Sequence, residues 1–186
     1  MEIYLVRHPR PTRCEGLCYG RSDVPVDPEE LAGAAASVRS LIPARVLRNA
    51  RMFTSPASRC LGLARELAAP GEPCVAEELH EMYFGAWEGV PWDSVPRAEL
   101  ETWAADVWSY RAGGGESAAM VAARWRGWSA RLTSQSRDLP AIAVTHAGLI
   151  RVALAGARGL GAELMIDAPF ASVHRVDIDA SRPGTP

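Results

Sequence analysis

Two apolar runs that each stop on a histidine constrain this chain more than any other feature. Glu2-Ile3-Tyr4-Leu5-Val6 has strand character and ends at Arg7-His8, where Pro9 and Pro11 cannot prolong a ladder. Near the other end, Ala141-Ile142-Ala143-Val144-Thr145 runs into His146 and then a helix-like segment from Ala147 to Ala157. Ligands of open α/β sheets collect outside the carboxyl ends of the strands. Two strands that finish this way predict a crevice where His8, His146 and Arg7 converge.

The intervening sequence alternates strand and helix signals. Pro28-Glu29-Glu30-Leu31, with Asp27 as N-cap and Pro28 at the first helical position, predicts a helix through Ala34, Val38 and Leu41. Arg51–Thr54 reads as a short strand, and Ser55-Pro56 as the cap and first residue of a helix through Leu61, Leu63, Ala64 and Leu67, with Arg59 about one turn in. Residues 74–79 suit an edge strand leading to a loop at Glu81. Residues 92–136 read as tryptophan-rich helices forming a small helical cap, with Trp103, Trp108, Trp125 and Trp128 expected to pack helices onto the sheet. Gly113-Gly114-Gly115-Glu116-Ser117 predicts a mobile loop, and residues 171–178 alternate as a last strand. The expected fold is a three-layer α/β sandwich, a mainly parallel sheet with helices on both faces. Residues 1–180 are expected to form one domain, and 181–186 have the composition of a disordered tail.

Charge and composition exclude several classes. The formal net charge of −2 offers no general field for a polyanion, so nucleic acid is not an expected partner. All 20 basic residues are arginine, which removes Schiff-base lysines and the Walker-type phosphate lysine. Cys14, Cys18, Cys60 and Cys74 show no paired Cys-x-x-Cys spacing, and no signal-like segment precedes the first strand, so reduced thiols and a cytoplasmic location are expected. No apolar run reaches the roughly 18 residues of a membrane span.

Chemistry follows from the residue types at the strand tips. Two arginines, Arg7 and Arg59, can bind phosphoryl oxygens by parallel hydrogen bonds, and the imidazoles of His8 and His146 add donors around the equatorial plane. Transfer from a phosphate monoester also needs a proton for the departing alkoxide, which a carboxyl group supplies before it activates water. Glu81 and Glu88 lie on the same loop, and spacing alone does not separate them. His80 and His174 are read as structural, and Arg59 on a helix has Glu66 or Glu77 as an ordinary alternative partner.

Four pieces in order, Leu5-Val6-Arg7-His8, Thr54-Ser55-Pro56-Ala57-Ser58-Arg59-Cys60, Glu81-Met82-Tyr83-Phe84-Gly85-Ala86-Trp87-Glu88-Gly89 and Val144-Thr145-His146-Ala147-Gly148-Leu149-Ile150-Arg151, resemble the histidine phosphatase superfamily, phosphoglycerate mutase-like in fold. Cys18-Tyr19-Gly20-Arg21-Ser22-Asp23, with Gly85–Gly89 and Trp92, is most similar to its α-ribazole phosphatase branch. The resemblance implies a metal-independent, cofactor-free phosphatase of small phosphate monoesters, as a monomer or homodimer. It implies His8 as nucleophile, Glu81 as proton donor, Arg7, Arg59 and His146 around the phosphoryl group, and Thr12, Tyr19 and Arg21 as further substrate contacts. Gly115-Glu116-Ser117 resembles a family segment near the mouth of the site. Pro9, Arg10 and Cys14 depart from the pattern, and Pro9 bears directly on the carbonyl that orients His8. A phosphoglycerate-type mutase or an inactive phosphate-binding module would use the same residues.

Overall fold

A computed structural model describes residues 1–68, 70–135, 139–158 and 166–178. Its sheet contains β1 (Glu2–Arg7), β2 (Arg51–Thr54), β3 (Cys74–Val75), β4 (Ala141–Thr145) and β5 (Val173–Asp177), in the spatial order β3-β2-β4-β1-β5. β3, β2, β4 and β1 run parallel, while β5 lies antiparallel on the outer edge of β1. The expected tail at 181–186 lies outside the described residues.

Strand periodicity explains the three layers. Ile3, Leu5, Ala141 and Ala143 face one way, into a core shared with Val121, Trp125, Trp128 and Leu132 of α5 (Ala118–Gln135) and Leu149, Ile150 and Ala153 of α6 (Ala147–Arg158). Tyr4, Val6, Ile142 and Val144 face the opposite way. They pack on α1 (Pro28–Leu41), α2 (Ala44–Asn49) and α3 (Ser58–Ala68) through Val38, Val46, Cys60, Leu63 and Leu67. Burial on both faces is why β1 and β4 read as continuous apolar runs rather than alternating ones. Each fully buried Val, Leu or Ile among them contributes about 1.5–3 kcal/mol by leaving water.

Several expectations are corrected in detail. Asp27 occupies the N-cap of α1 ahead of Pro28, but among the described residues its carboxylate makes no capping hydrogen bond. α3 begins at Ser58 rather than Pro56, so Arg59 stands in its first turn. The edge strand shrinks to Cys74–Val75, because Glu77–Leu79 closes into a 3-10 turn. The 92–136 region divides into a 3-10 turn at Trp92–Ser94, α4 (Arg97–Ala105), an irregular stretch and α5. Trp125 and Trp128 pack on the sheet as expected, Trp128 edge-on to Phe53 at 5.4 Å. Trp103 does not. It stacks on Trp92 at 6.0 Å in a separate aromatic cluster with Phe84 and Trp87, built around Cys18, Val95 and Ala112. The triglycine segment, expected as a mobile loop, is wedged against the Glu81–Glu88 loop. A Cβ on Gly113 would sit 2.2 Å from the Phe84 carbonyl oxygen, and one on Gly115 would sit 2.0 Å from that of Tyr83.

Candidate active site

Parallel register aligns the strand tips. Arg7 pairs with Thr145 and Thr54 with Val144, so the residues that follow, His8, His146 and Ser55, emerge side by side. The His8 amide donates to the Thr145 carbonyl at 3.0 Å and the Ser55 amide to that of Val144 at 2.9 Å, extending the ladder one rung beyond the strands. The two imidazole centroids are 5.1 Å apart.

His8 is buried, and its Nδ1 lies 2.6 Å from the carbonyl oxygen of Pro9. A carbonyl only accepts, so Nδ1 carries the proton and Nε2 keeps its lone pair. Proline at position 9 costs nothing here, because the ring uses its carbonyl and not the N–H it lacks. Burial, reinforced by Arg59 and Arg7 and opposed by the Pro9 bond, pushes the imidazole down to about 3. His8 is therefore neutral at ordinary pH.

His146 caps α6, its carbonyl accepting the Ile150 amide at 3.0 Å. Arg59 Nη2 lies 3.2 Å from its Nδ1, and Ser55 Oγ lies 2.8 Å from its Nε2. A guanidinium only donates, so Nδ1 accepts and Nε2 donates to the serine hydroxyl. Burial first, then His8 and Arg59, hold this ring well below its ordinary value.

The two arginines are held by backbone carbonyls. Arg59, with a fully buried side chain, donates to the Ser22 carbonyl at 2.9 Å and that of Gly20 at 2.7 Å; neither Glu66 nor Glu77 is its partner, and its nearest carboxylate is Asp23 at 4.0 Å. Arg7 donates to the Ala168 carbonyl at 2.6 Å and lies 3.8 Å over the ring of Phe170. The Nε of each is buried and has no hydrogen-bond partner among the described residues. Charged donors in that state suit an anion.

The structure separates the two carboxylates. Glu88 is consumed: Oε1 accepts the amides of Arg21 at 2.7 Å and Phe84 at 3.2 Å, while Oε2 accepts the Ser22 amide at 2.6 Å and the Ser22 hydroxyl. Glu81 accepts the amide of Met82 at 2.9 Å and that of Gly148 at 3.1 Å, at the N-terminus of α6 next to His146. A Cβ at position 148 would lie 2.4 Å from the Glu81 oxygen, so glycine there lets the carboxylate approach.

Of the remaining expected contacts, Tyr19 lies beside the cluster, its ring 5.6 Å from the Arg59 guanidinium, and burial raises its phenol. Thr12 is tied through its amide to Pro25 at 2.9 Å. Arg21 donates through Nη2 to Glu116 at 3.0 Å, with its guanidinium over the ring of Tyr83. Residue patterns missed Ser55 as a partner of His146, and missed Phe170 under Arg7. Ser55 read as an N-cap, and nothing local marks Phe170. Glu116 carried a signal in its Gly-Glu-Ser setting but no role. Among the described residues no group of three or more His, Cys, Asp or Glu is placed to hold a metal ion, and no helix is long and apolar enough to cross a membrane.

A family model described as the histidine phosphatase superfamily (branch 1) matches residues 3–185. No relative is found among curated protein sequences. Among solved structures, the Thermus thermophilus protein TTHB049 superposes with a TM-score of 0.70 at 28% identity, covering 95% of this chain and 93% of that one. A mycobacterial glucosyl-3-phosphoglycerate phosphatase in complex with VO3 superposes with a TM-score of 0.80 at 23% identity, covering 94% and 91%. The α-ribazole phosphatase of Shigella flexneri gives 0.79 at 22% identity, covering 97% and 92%.

Proposed function

Since the chain belongs to the histidine phosphatase superfamily, branch 1, we propose that it is a metal-independent phosphatase that hydrolyses a small phosphate monoester through a phosphohistidine at His8. The observation that carries this reading is the His8 ring itself: buried, neutral, and locked by the Pro9 carbonyl so that Nε2 holds a free lone pair.

In the first step Nε2 attacks phosphorus and the ester P–O bond breaks, while Arg7 and Arg59 stabilise charge on the equatorial oxygens, joined by His146 once its Nε2–H exchanges the Ser55 hydroxyl for a phosphoryl oxygen. Glu81 gives its proton to the leaving oxygen. The phosphorylated ring gains positive character, which the Pro9 carbonyl offsets through Nδ1–H. In the second step water attacks phosphorus, Glu81 takes its proton, and the P–N bond breaks to return His8 and free phosphate. Each group ends as it began.

α-Ribazole 5′-phosphate is the first substrate to test, which would place the enzyme in cobalamin assembly and in the cytoplasm, a setting consistent with four free cysteines. Of the aromatic residues near the motifs, Phe84 and Trp87 are committed to packing, which leaves half-buried Tyr19 and exposed Tyr83 as faces for a flat base.

Radiolabelled monoester, quenched and digested, should leave an acid-labile phosphoryl group on the His8 peptide, with activity retained under chelation. Full turnover in His8→Ala, or loss of activity on chelation, overturns the mechanism. Inorganic phosphate release separates hydrolysis from transfer. A kcat/KM preference for α-ribazole 5′-phosphate below about tenfold over nucleotides, sugar phosphates and phosphoglycerates, equivalent to roughly 1.4 kcal/mol, removes the substrate assignment alone.

A further inference from the structure

Behind the Glu81 loop lies an ion-paired cluster that touches none of the reacting groups. Glu116 is buried, with Oε1 accepting from Arg21 at 3.0 Å and from Arg124 Nε at 3.2 Å. Its Oε2 accepts from the Tyr83 amide at 3.0 Å and from Arg124 Nη2 at 3.3 Å. Two further donors of Arg124 go to backbone: Nη1 to the Glu78 carbonyl and Nη2 to the Glu81 carbonyl at 3.1 Å.

The segment from Glu78 to Tyr83 has no helix or strand of its own to hold Glu81 in place, apart from the single 3-10 turn that ends at Leu79. Arg124 and Glu116 fix its backbone at three residues, on both sides of Glu81 and at Glu81 itself. The planar guanidinium fork suits this, since it engages two carbonyls and a carboxylate at once in one geometry. Arg21 brings the loop after His8 to the same anchor. Burial alone would raise the Glu116 carboxyl, but Arg124, the Tyr83 amide and Arg21 together hold it below its ordinary value, so the anchor stays ionised.

We propose that Arg124 and Glu116 are positioning residues for proton transfer: by clamping the backbone of residues 78–83 they set the place of the Glu81 carboxyl against the leaving oxygen. The proposal rests on the reading of Glu81 as proton donor. A role in stability alone would lower turnover of every substrate alike, whereas a displaced proton donor penalises only substrates whose leaving group needs the proton.

The test compares kcat/KM for an alkyl phosphate with that for p-nitrophenyl phosphate in Arg124→Met, Glu81→Gln and the double variant. A displacement of about 1 Å costs on the order of 10²-fold in a positioned reaction. Arg124→Met should therefore lose about that much on the alkyl ester and less than about threefold on p-nitrophenyl phosphate. In the Glu81→Gln background the same substitution should add less than about twofold on the alkyl ester, because no proton donor is left to misplace. Equal losses on both substrates in Arg124→Met, or additive losses in the double variant, overturn the proposal while a discriminating Glu81→Gln leaves the proton-donor reading intact. Equal losses in Glu81→Gln remove that reading and the proposal with it. If Arg124→Met does not fold, Glu116→Gln, which keeps the shape and removes the charge, is judged by the same outcomes.

Discussion

The floor of the site and the loop over it are held by different means. On the floor, His8, Ser55 and His146 continue the rungs of a parallel sheet buried on both faces, so their positions follow from backbone register. The loop from Glu81 to Glu88 has no ladder. It is secured by long charged side chains that reach backbone groups, Glu88 to the amides of Arg21, Ser22 and Phe84, Glu116 to that of Tyr83, and by glycines that let chains touch. One consequence is that two carboxylates seven residues apart have opposite duties. Glu88, saturated by donors, joins two loops; Glu81 has only two amide partners among the described residues, as the proton-donor role proposed for it requires.

The largest expected effect tests the floor. His8→Ala should lower kcat by about 10⁴-fold or more, as loss of a covalent nucleophile does in other hydrolases, while circular dichroism and the unfolding transition show the chain still folded. Substantial residual turnover would mean that His8 is not the nucleophile and that another group on the floor or the loop carries the reaction.

Next, the contrast between the carboxylates predicts that Glu81→Gln costs roughly 10²- to 10⁴-fold on an alkyl phosphate and far less on p-nitrophenyl phosphate. Glu88→Gln should show its effect in thermal unfolding, since each half-buried hydrogen bond lost is worth about 0.5–1.5 kcal/mol. A larger catalytic loss in Glu88→Gln would reverse the roles drawn for them.

The close approaches in the loop make a smaller prediction. A Cβ on Gly20 would meet the Met82 carbonyl oxygen at 2.0 Å and Glu88 Oε1 at 2.7 Å. Gly20→Ala should therefore destabilise by about 2–4 kcal/mol through forced backbone movement, read from denaturant unfolding. A change within about 0.5 kcal/mol, the range of an ordinary surface substitution, would show the loop to be loosely held.

The last effect is graded with pH, and it is the smallest only per pH unit. His8 titrates at about 3 when folded, against an ordinary 6.5. Between those values the unfolded chain binds a proton that the folded chain does not, so stability is lost as pH falls from about 6.5 toward about 3. His8 contributes roughly 1.4 kcal/mol per pH unit in that window, and His146 acts in the same direction. The melting temperature of His8→Asn should fall less steeply on acidification than that of the unaltered chain. Parallel curves would mean that the ring is hydrated in the folded state.

Local sequence determined the strands, their histidine tips and most helix positions, because a central parallel strand must be apolar on both faces and a buried helix face must recur with its turn. The Ala147–Arg158 helix and the cap position of Asp27 follow from the same short-range rules. Partner choice was not legible in that way. Whether Trp103 meets the sheet or Trp92, which carboxylate Arg21 pairs with, and whether Glu81 or Glu88 is saturated depend on residues tens of positions away, as with the Glu81 oxygen on the amide of Gly148. Periodicity reports that a side chain is buried. Which polar group satisfies it is decided only when the tertiary fold brings donors and acceptors together, since a buried charge must take the partners that packing leaves within reach.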